Sequence, residues 1–283
     1  MQYPKVYEFE WKKSGKTAVI FWAIHGNEIC GPQVLEKLIQ DIKCGKIIIE
    51  SGKLIIVPIC NPKAYQADVR QMEDNLNRVF YEKKDRNNLS YEEKIAEFLK
   101  LYIDAGDYIL DLHSFHAQGN HYIFQDFTDE KTNEFISALW VKNIVQGWPE
   151  LYEAWEELDT IWYAYSQGKI GALIECGSHR DPECFDIANK TIQNFLIFSE
   201  IISGKWEKNI QNITKIDSMI RKEKPGNFTK NYIEMQEITA WEVIVKYDDW
   251  EEFIAKKDGN ILLTNKDAKI WQEHFYIAYK KNN

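Results

Sequence analysis

Residues 17–42 read TAVIFWAIHGNEICGPQVLEKLIQDI, and two periodicities meet in them. Residues 17–24 form a continuous apolar run, long enough for a buried strand and too short for a helix. After His25-Gly26-Asn27-Glu28, the residues Val34, Leu38 and Ile42 recur every fourth position, with Leu35 and Ile39 beside them. That spacing is one face of a helix over 31–42, and Gly45 stands where its C-terminal stop belongs.

The same alternation continues outward. KLIIVPI at 53–59 is a second strand, ended by the Asn61-Pro62 turn signal. Residues 62–90 are polar and poorly periodic, and a loop of that length in a compact domain points to function or disorder. Residues 90–105 are helical, with Ser90 and Glu93 placed as a capping box. YILDL at 108–112 is a strand, 121–124 another, 131–145 a helix, IGALIE at 170–175 a strand, and 182–202 a helix. Trp148, Trp155 and Trp162 recur every seven residues with Leu151 and Leu158 between them, which reads as a helix packing face. Strands alternating with helices imply an α/β sheet covered on its faces. From about residue 206 the pattern changes to short apolar runs between charged turns: EVIVKY at 242–247, NILL at 260–263 and HFYIAY at 274–279. The expected organisation is a catalytic domain over 1–205 and a small β-rich domain over 206–283 that caps or narrows the cleft.

Composition narrows the function. The formal charge is −9, which repels phosphate backbones and weighs against nucleic acid as a partner. No apolar run approaches a membrane span. The opening residues, MQYPKVYEFEWKKSG, carry charge throughout and lack the apolar core of a signal peptide. Five cysteines without a C-x-x-C pair read as reduced thiols, so the expected location is the cytoplasm. Cys30 and Cys176 read as small packed hydrophobes.

In this map His25 follows the first strand, His113 follows YILDL, and Glu175 ends IGALIE. Three ionisable groups thus gather at the C-terminal ends of three strands, the edge where open α/β sheets bind ligands. His25 and Glu28 form H-x-x-E, and a bend eased by Gly26 lets both reach one ion. His113 would complete a His₂Glu set with a fourth position open to water, as a catalytic zinc requires. A carboxylate such as Glu175 at the end of an apolar strand is costly to bury unless paired or poised to act, and desolvation raises its pKa toward that of a general base.

Four segments, AIHGNEICGPQVLEKL, NPKAYQADVRQMEDNLNRVF, DLHS and LIECG, resemble in order the succinylglutamate desuccinylase/aspartoacylase family, relatives of the zinc carboxypeptidases. The resemblance implies a carboxypeptidase-like α/β/α sandwich with a mixed sheet, one zinc ion per chain, and hydrolysis of the amide bond of a small N-acyl amino acid. It places the zinc ligands at His25, Glu28 and His113. It places the arginine that polarises the scissile carbonyl at Arg70, the pair that holds a substrate carboxylate at Asn77 and Arg78, and the base that activates the zinc-bound water at Glu175. A bidentate guanidinium suits a carboxylate, and these arginines would supply a positive pocket in an acidic chain.

Two departures bear on the substrate. Aspartoacylases carry an arginine about ten residues before the catalytic glutamate; Tyr165 stands there in this chain, which argues against N-acetylaspartate. The family's β-domain supplies a pocket tyrosine before its last strand, and the comparable NKDAKIWQE has none, though Tyr276 and Tyr279 lie close by. His116, His121 and His179 are weaker candidates for the site. A carboxypeptidase acting on short peptides and a non-catalytic metal- or ligand-binding protein are the alternatives; a base at Glu175 weighs against the second. The acyl group, the amino acid and the oligomeric state are left open.

Overall fold

The computed structural model describes residues 1–82, 87–151 and 159–280. Strand β1 (Tyr7–Glu10) and strand β2 (Thr17–Trp22) lead into helix α1 (Cys30–Lys43), followed by β3 (Lys53–Val57), α2 (Pro62–Ala67) and α3 (Tyr91–Ala105). Then come β4 (Tyr108–Phe115), β5 (Tyr122–Phe124), α4 (Glu130–Ala138), β6 (Asn143–Gln146), α5 (Thr160–Ser166), β7 (Ile170–Ser178) and α6 (Pro182–Phe198). The rest is all β: β8 (Asn212–Arg221), β9 (Gly226–Phe228), β10 (Gln236–Ile238), β11 (Val243–Tyr247), β12 (Glu252–Ile254), β13 (Gly259–Leu262) and β14 (Glu273–Lys280).

The central sheet is mixed, in the order β1-β3-β2-β4-β7-β5-β6-β8-β14-β13-β10. Strands β3, β2, β4 and β7 run parallel, and β5 turns antiparallel to β7. Alternate residues of the parallel strands feed two cores, as a pleated strand with both faces covered must. Ile20, Trp22, Leu110, Leu112 and Ile174 pack under α1, α4 and α6. Val19, Phe21, Ile109 and Leu173 pack under α3 and α5. The layering is therefore α/β/α. The C-terminal strands join the same sheet where β8 pairs in parallel with β6, and β9, β11 and β12 form a separate three-stranded sheet.

Three sequence expectations change. The helix expected over 131–145 stops at Ala138, and Asn143–Gln146 is strand β6, since Asn143 opens a short run that pairs between β5 and β8. The 62–90 stretch is not structureless: Asn61 caps α2, and Leu76–Arg78 make a 3₁₀ turn capped by Asn75. The tryptophan heptad does not lie on one helix. Trp148 precedes a 3₁₀ turn, Pro149–Leu151, and Trp162 sits in α5, while Trp155 and Leu158 lie outside the described residues. The capping box at Ser90 and Glu93 is present in both directions, and Gly45 has φ +76° just beyond α1.

The β2–α1 junction sets the geometry of everything above it. Trp22 is fully buried, and a Cβ on Gly31 would lie 1.6 Å from its ring, so only glycine lets α1 sit this close to β2. Gly31→Ala should therefore destabilise the fold at the upper end of the overpacking range, by about 3 kcal/mol. Urea unfolding checks this; an unchanged midpoint would contradict the packing described.

Candidate active site

His25, Glu28 and His113 come together at the C-terminal edge of β2 and β4, all buried. His25 Nδ1 lies 2.7 Å from Glu28 Oε1, and His113 Nδ1 lies 3.2 Å from Glu28 Oε2. One ligand atom from each falls within 4.8 Å of the others, the sole such group of three among the described residues. Ligand-to-ligand edges around a four-coordinate zinc are about 3.4 Å, so the donors need only small shifts to hold one.

Each far nitrogen has an oxygen beside it. His25 Nε2 lies 3.0 Å from Asn75 Oδ1, and His113 Nε2 lies 3.1 Å from Asp111 Oδ2. Asp111, fully buried, accepts from the Thr160 hydroxyl at the start of α5. An amide or carboxylate oxygen thus stands behind each imidazole, with Nδ1 of both rings facing Glu28. Glu28 also accepts the Ser114 N–H at 3.1 Å. Burial acts to raise the Glu28 carboxyl, but His113 and His25 beside it prevail and hold it well below the usual range. Burial drives His25 down to about 3, which favours the neutral ring. Burial also acts against a charge on His113, yet Asp111 and Glu28 on either side raise it well above the ordinary imidazole value. Two buried carboxylates thus demand a positive charge between them, and the donor set fits a divalent ion.

Gly26 serves the site differently from the sequence reading. A Cβ there would lie 2.1 Å from the Ala64 carbonyl carbon, so the glycine is required by the close pass of α2 rather than by a bend. Its N–H donates to the Arg70 carbonyl at 3.1 Å, tying the 68–78 loop to the His25 turn. The fully buried Glu92 holds the same loop, accepting from the backbone N–H groups of Met72, Glu73 and Asp74 and from Asn61 Nδ2.

His113 and Glu175 are register partners on parallel strands, so both side chains leave the same face of the sheet. Glu175 is buried, and its Oε2 has no hydrogen-bond partner among the described residues. Burial pushes its carboxyl up to about 8, and Glu28 and Glu234 add to the rise against the pull of His113 and Arg70. A cleft of about 540 Å³ opens over these groups and is lined by all seven residues singled out in the sequence. Asn77 is buried and Arg78 half-buried, while Arg70 is exposed to the cleft. The all-β region adds Arg221, Glu234, Leu263 and Tyr276 to the walls.

The weaker candidates separate. His116 and His179 line the cleft edge-to-face at 4.5 Å, with His179 Nδ1 2.7 Å from Ser114 Oγ, and neither joins the three-donor group. His121 is not among the described residues that line the cleft, and neither is Tyr165, which stacks on Phe127 at 3.6 Å. Asn265 and Trp271 of the NKDAKIWQE stretch do line it, as does Tyr276. Cys30 and Cys176 are buried, as expected of packed thiols. Sequence reasoning missed Asp111, Asn75 and Glu92. Asp111 carried a usable signal, since two residues before His113 on a strand means the same face.

Residues 14–199 match the sequence profile of the succinylglutamate desuccinylase/aspartoacylase catalytic domain. The chain belongs to this family. Succinylglutamate desuccinylase of Vibrio vulnificus is 33% identical over 117 residues, covering 38% of this chain and 33% of that protein. Aspartoacylase of Xenopus tropicalis is 36% identical over 131 residues, covering 42% of this chain and 41% of that one. The matched stretches span about a third to two-fifths of these curated relatives. The fold extends further than the sequence match. A succinylglutamate desuccinylase/aspartoacylase from Rhodobacter sphaeroides superposes with a TM-score of 0.77 at 16% identity, covering 95% of this chain and 87% of that one. The product-bound ectoine utilization protein EutE (DoeB) from Ruegeria pomeroyi gives 0.78 at 19%, covering 97% and 88%. This family member thus has the mixed α/β fold of those structures, and no helix among its described residues is long and apolar enough to cross a membrane.

Asp111 and Glu28 on either side favour a proton on His113, and that proton would compete with a metal ion for the same position. Zinc affinity should therefore rise with pH, with release of protons on binding. Calorimetry in buffers of differing ionisation heat reads the release; uptake independent of pH would contradict the arrangement.

Proposed function

We propose that this chain is a zinc-dependent hydrolase that cleaves the amide bond of a small N-acyl amino acid, with one zinc on His25, Glu28 and His113. The observation that carries the proposal is the convergence of three buried donors beside Glu175, a buried carboxylate paired in register with one of them. Zinc held there would polarise the scissile carbonyl and acidify an attacking water.

The chain's own groups supply the rest. Glu175 takes the proton from the attacking water and later delivers it to the leaving amine, a role its raised pKa suits. Arg70 donates to the carbonyl oxygen as negative charge grows there. Asn77 and Arg78 hold the carboxylate of the amino acid that leaves. The β-rich region over 206–283 narrows the cleft through Glu234, Leu263 and Tyr276, and a cleft of about 540 Å³ suits a small molecule better than a polypeptide. Five free cysteines fit a reducing compartment such as the cytoplasm.

Glu175→Gln should lower kcat by about 10³-fold while zinc content stays unchanged. Because the base works only when ionised, kcat/KM should climb with pH through the Glu175 ionisation and level off above it. That acidic limb should vanish from the variant's residual rate. The assay is a panel of N-acetyl and N-succinyl amino acids set against short peptides. Full activity in Glu175→Gln would remove the assigned base, and a preference for peptides would favour the carboxypeptidase reading instead.

A further inference from the structure

Arg78 does not hang freely from its loop. Its Nη1 donates to the Asn77 carbonyl at 2.8 Å, and its guanidinium carbon lies 5.1 Å from the centroid of the Trp148 ring. Trp148 is in turn stacked on Tyr276, with centroids 5.3 Å apart and planes 25° apart, and Phe124 tilts against it at 5.0 Å. Its backbone is pinned as well: the Gly147 and Trp148 N–H groups donate to Asp126 Oδ1 at 3.1 and 3.2 Å. Arg78, Trp148, Tyr276 and Asp126 all line the one cleft.

We propose that Trp148 is the positioning residue for Arg78. A guanidinium on a flexible stem grips a carboxylate in bidentate fashion only if its plane is held, and an aromatic ring beneath it holds that plane at little entropic cost. Tyr276 belongs to β14, so the stack Tyr276–Trp148–Arg78 carries the all-β region's contact to the carboxylate subsite. This rests on the reading of Arg78 as a carboxylate-binding residue.

The test uses the N-acetyl-L-amino acid turned over best and the same compound with its carboxylate converted to a carboxamide. Trp148→Leu should raise KM for the acid about tenfold and change kcat by less than about twofold, while KM for the carboxamide stays put. Trp148→Phe, which keeps a smaller ring and the fold, should raise KM for the acid only about two- to threefold. Arg78→Gln supplies the reference loss. If Arg78→Gln raises KM for the acid and neither Trp148 variant does, the inference fails alone. An equal rise on both substrates would also overturn it, because that marks lost packing rather than a misplaced arginine. If Arg78→Gln leaves KM unchanged, the carboxylate subsite falls and the inference with it.

Discussion

The Glu28 carboxylate, almost wholly withdrawn from water, is the constraint around which this molecule is arranged. A buried carboxylate costs several kcal/mol unless it is matched by charge and hydrogen bonds. Here the matching comes from two imidazoles and the Ser114 N–H. A second buried carboxylate, Asp111, stands behind His113 and takes a hydrogen bond from Thr160. Two anions enclosing one imidazole make the position electrostatically incomplete until a cation or a proton occupies it. The neighbouring Glu175, also buried and next in register, feels the same field.

Delivering those groups to one point falls to the sheet. Parallel β2, β4 and β7 open toward the same edge, and their register brings His113 and Glu175 side by side. The arginine loop is drawn in by two independent anchors, the Gly26 N–H on the Arg70 carbonyl and the Glu92 carboxylate on three consecutive amides. The anchors act on backbone, and the side chains of Arg70, Asn77 and Arg78 line the cleft. The far wall comes from strands added at the β6–β8 pairing, which bring Glu234 and Tyr276 over the same opening.

Much of this was legible in the chain because the decisive signals are local. The apolar run before His25 and the four-residue spacing after Glu28 announce a strand and a helix, and both exist. The strands that carry His113 and Glu175 follow from the same periodicity, although both run on past the expected ends, to Phe115 and Ser178. What escaped depends on contacts between distant segments. Asn143–Gln146 has nothing local to mark it as a strand and becomes one by pairing with β5 and β8. Gly26 looks like a hinge in the sequence and proves to be a clearance for α2. Glu92 reads as an ordinary acidic residue in a helix's first turn, where a carboxylate is favoured anyway, so nothing marks it as the buried anchor of the 72–74 backbone. Trp148 joins a false heptad because a seven-residue spacing is the same whether or not one helix runs through it.

The most direct measurement is the zinc content of the purified chain by elemental analysis, made alongside His113→Ala. About one zinc per chain in the native protein, lost in the variant, is what the account predicts. A native protein that takes up no zinc after supplementation, or a variant that keeps its full complement, would contradict the site at Glu28 and the hydrolytic chemistry built on it.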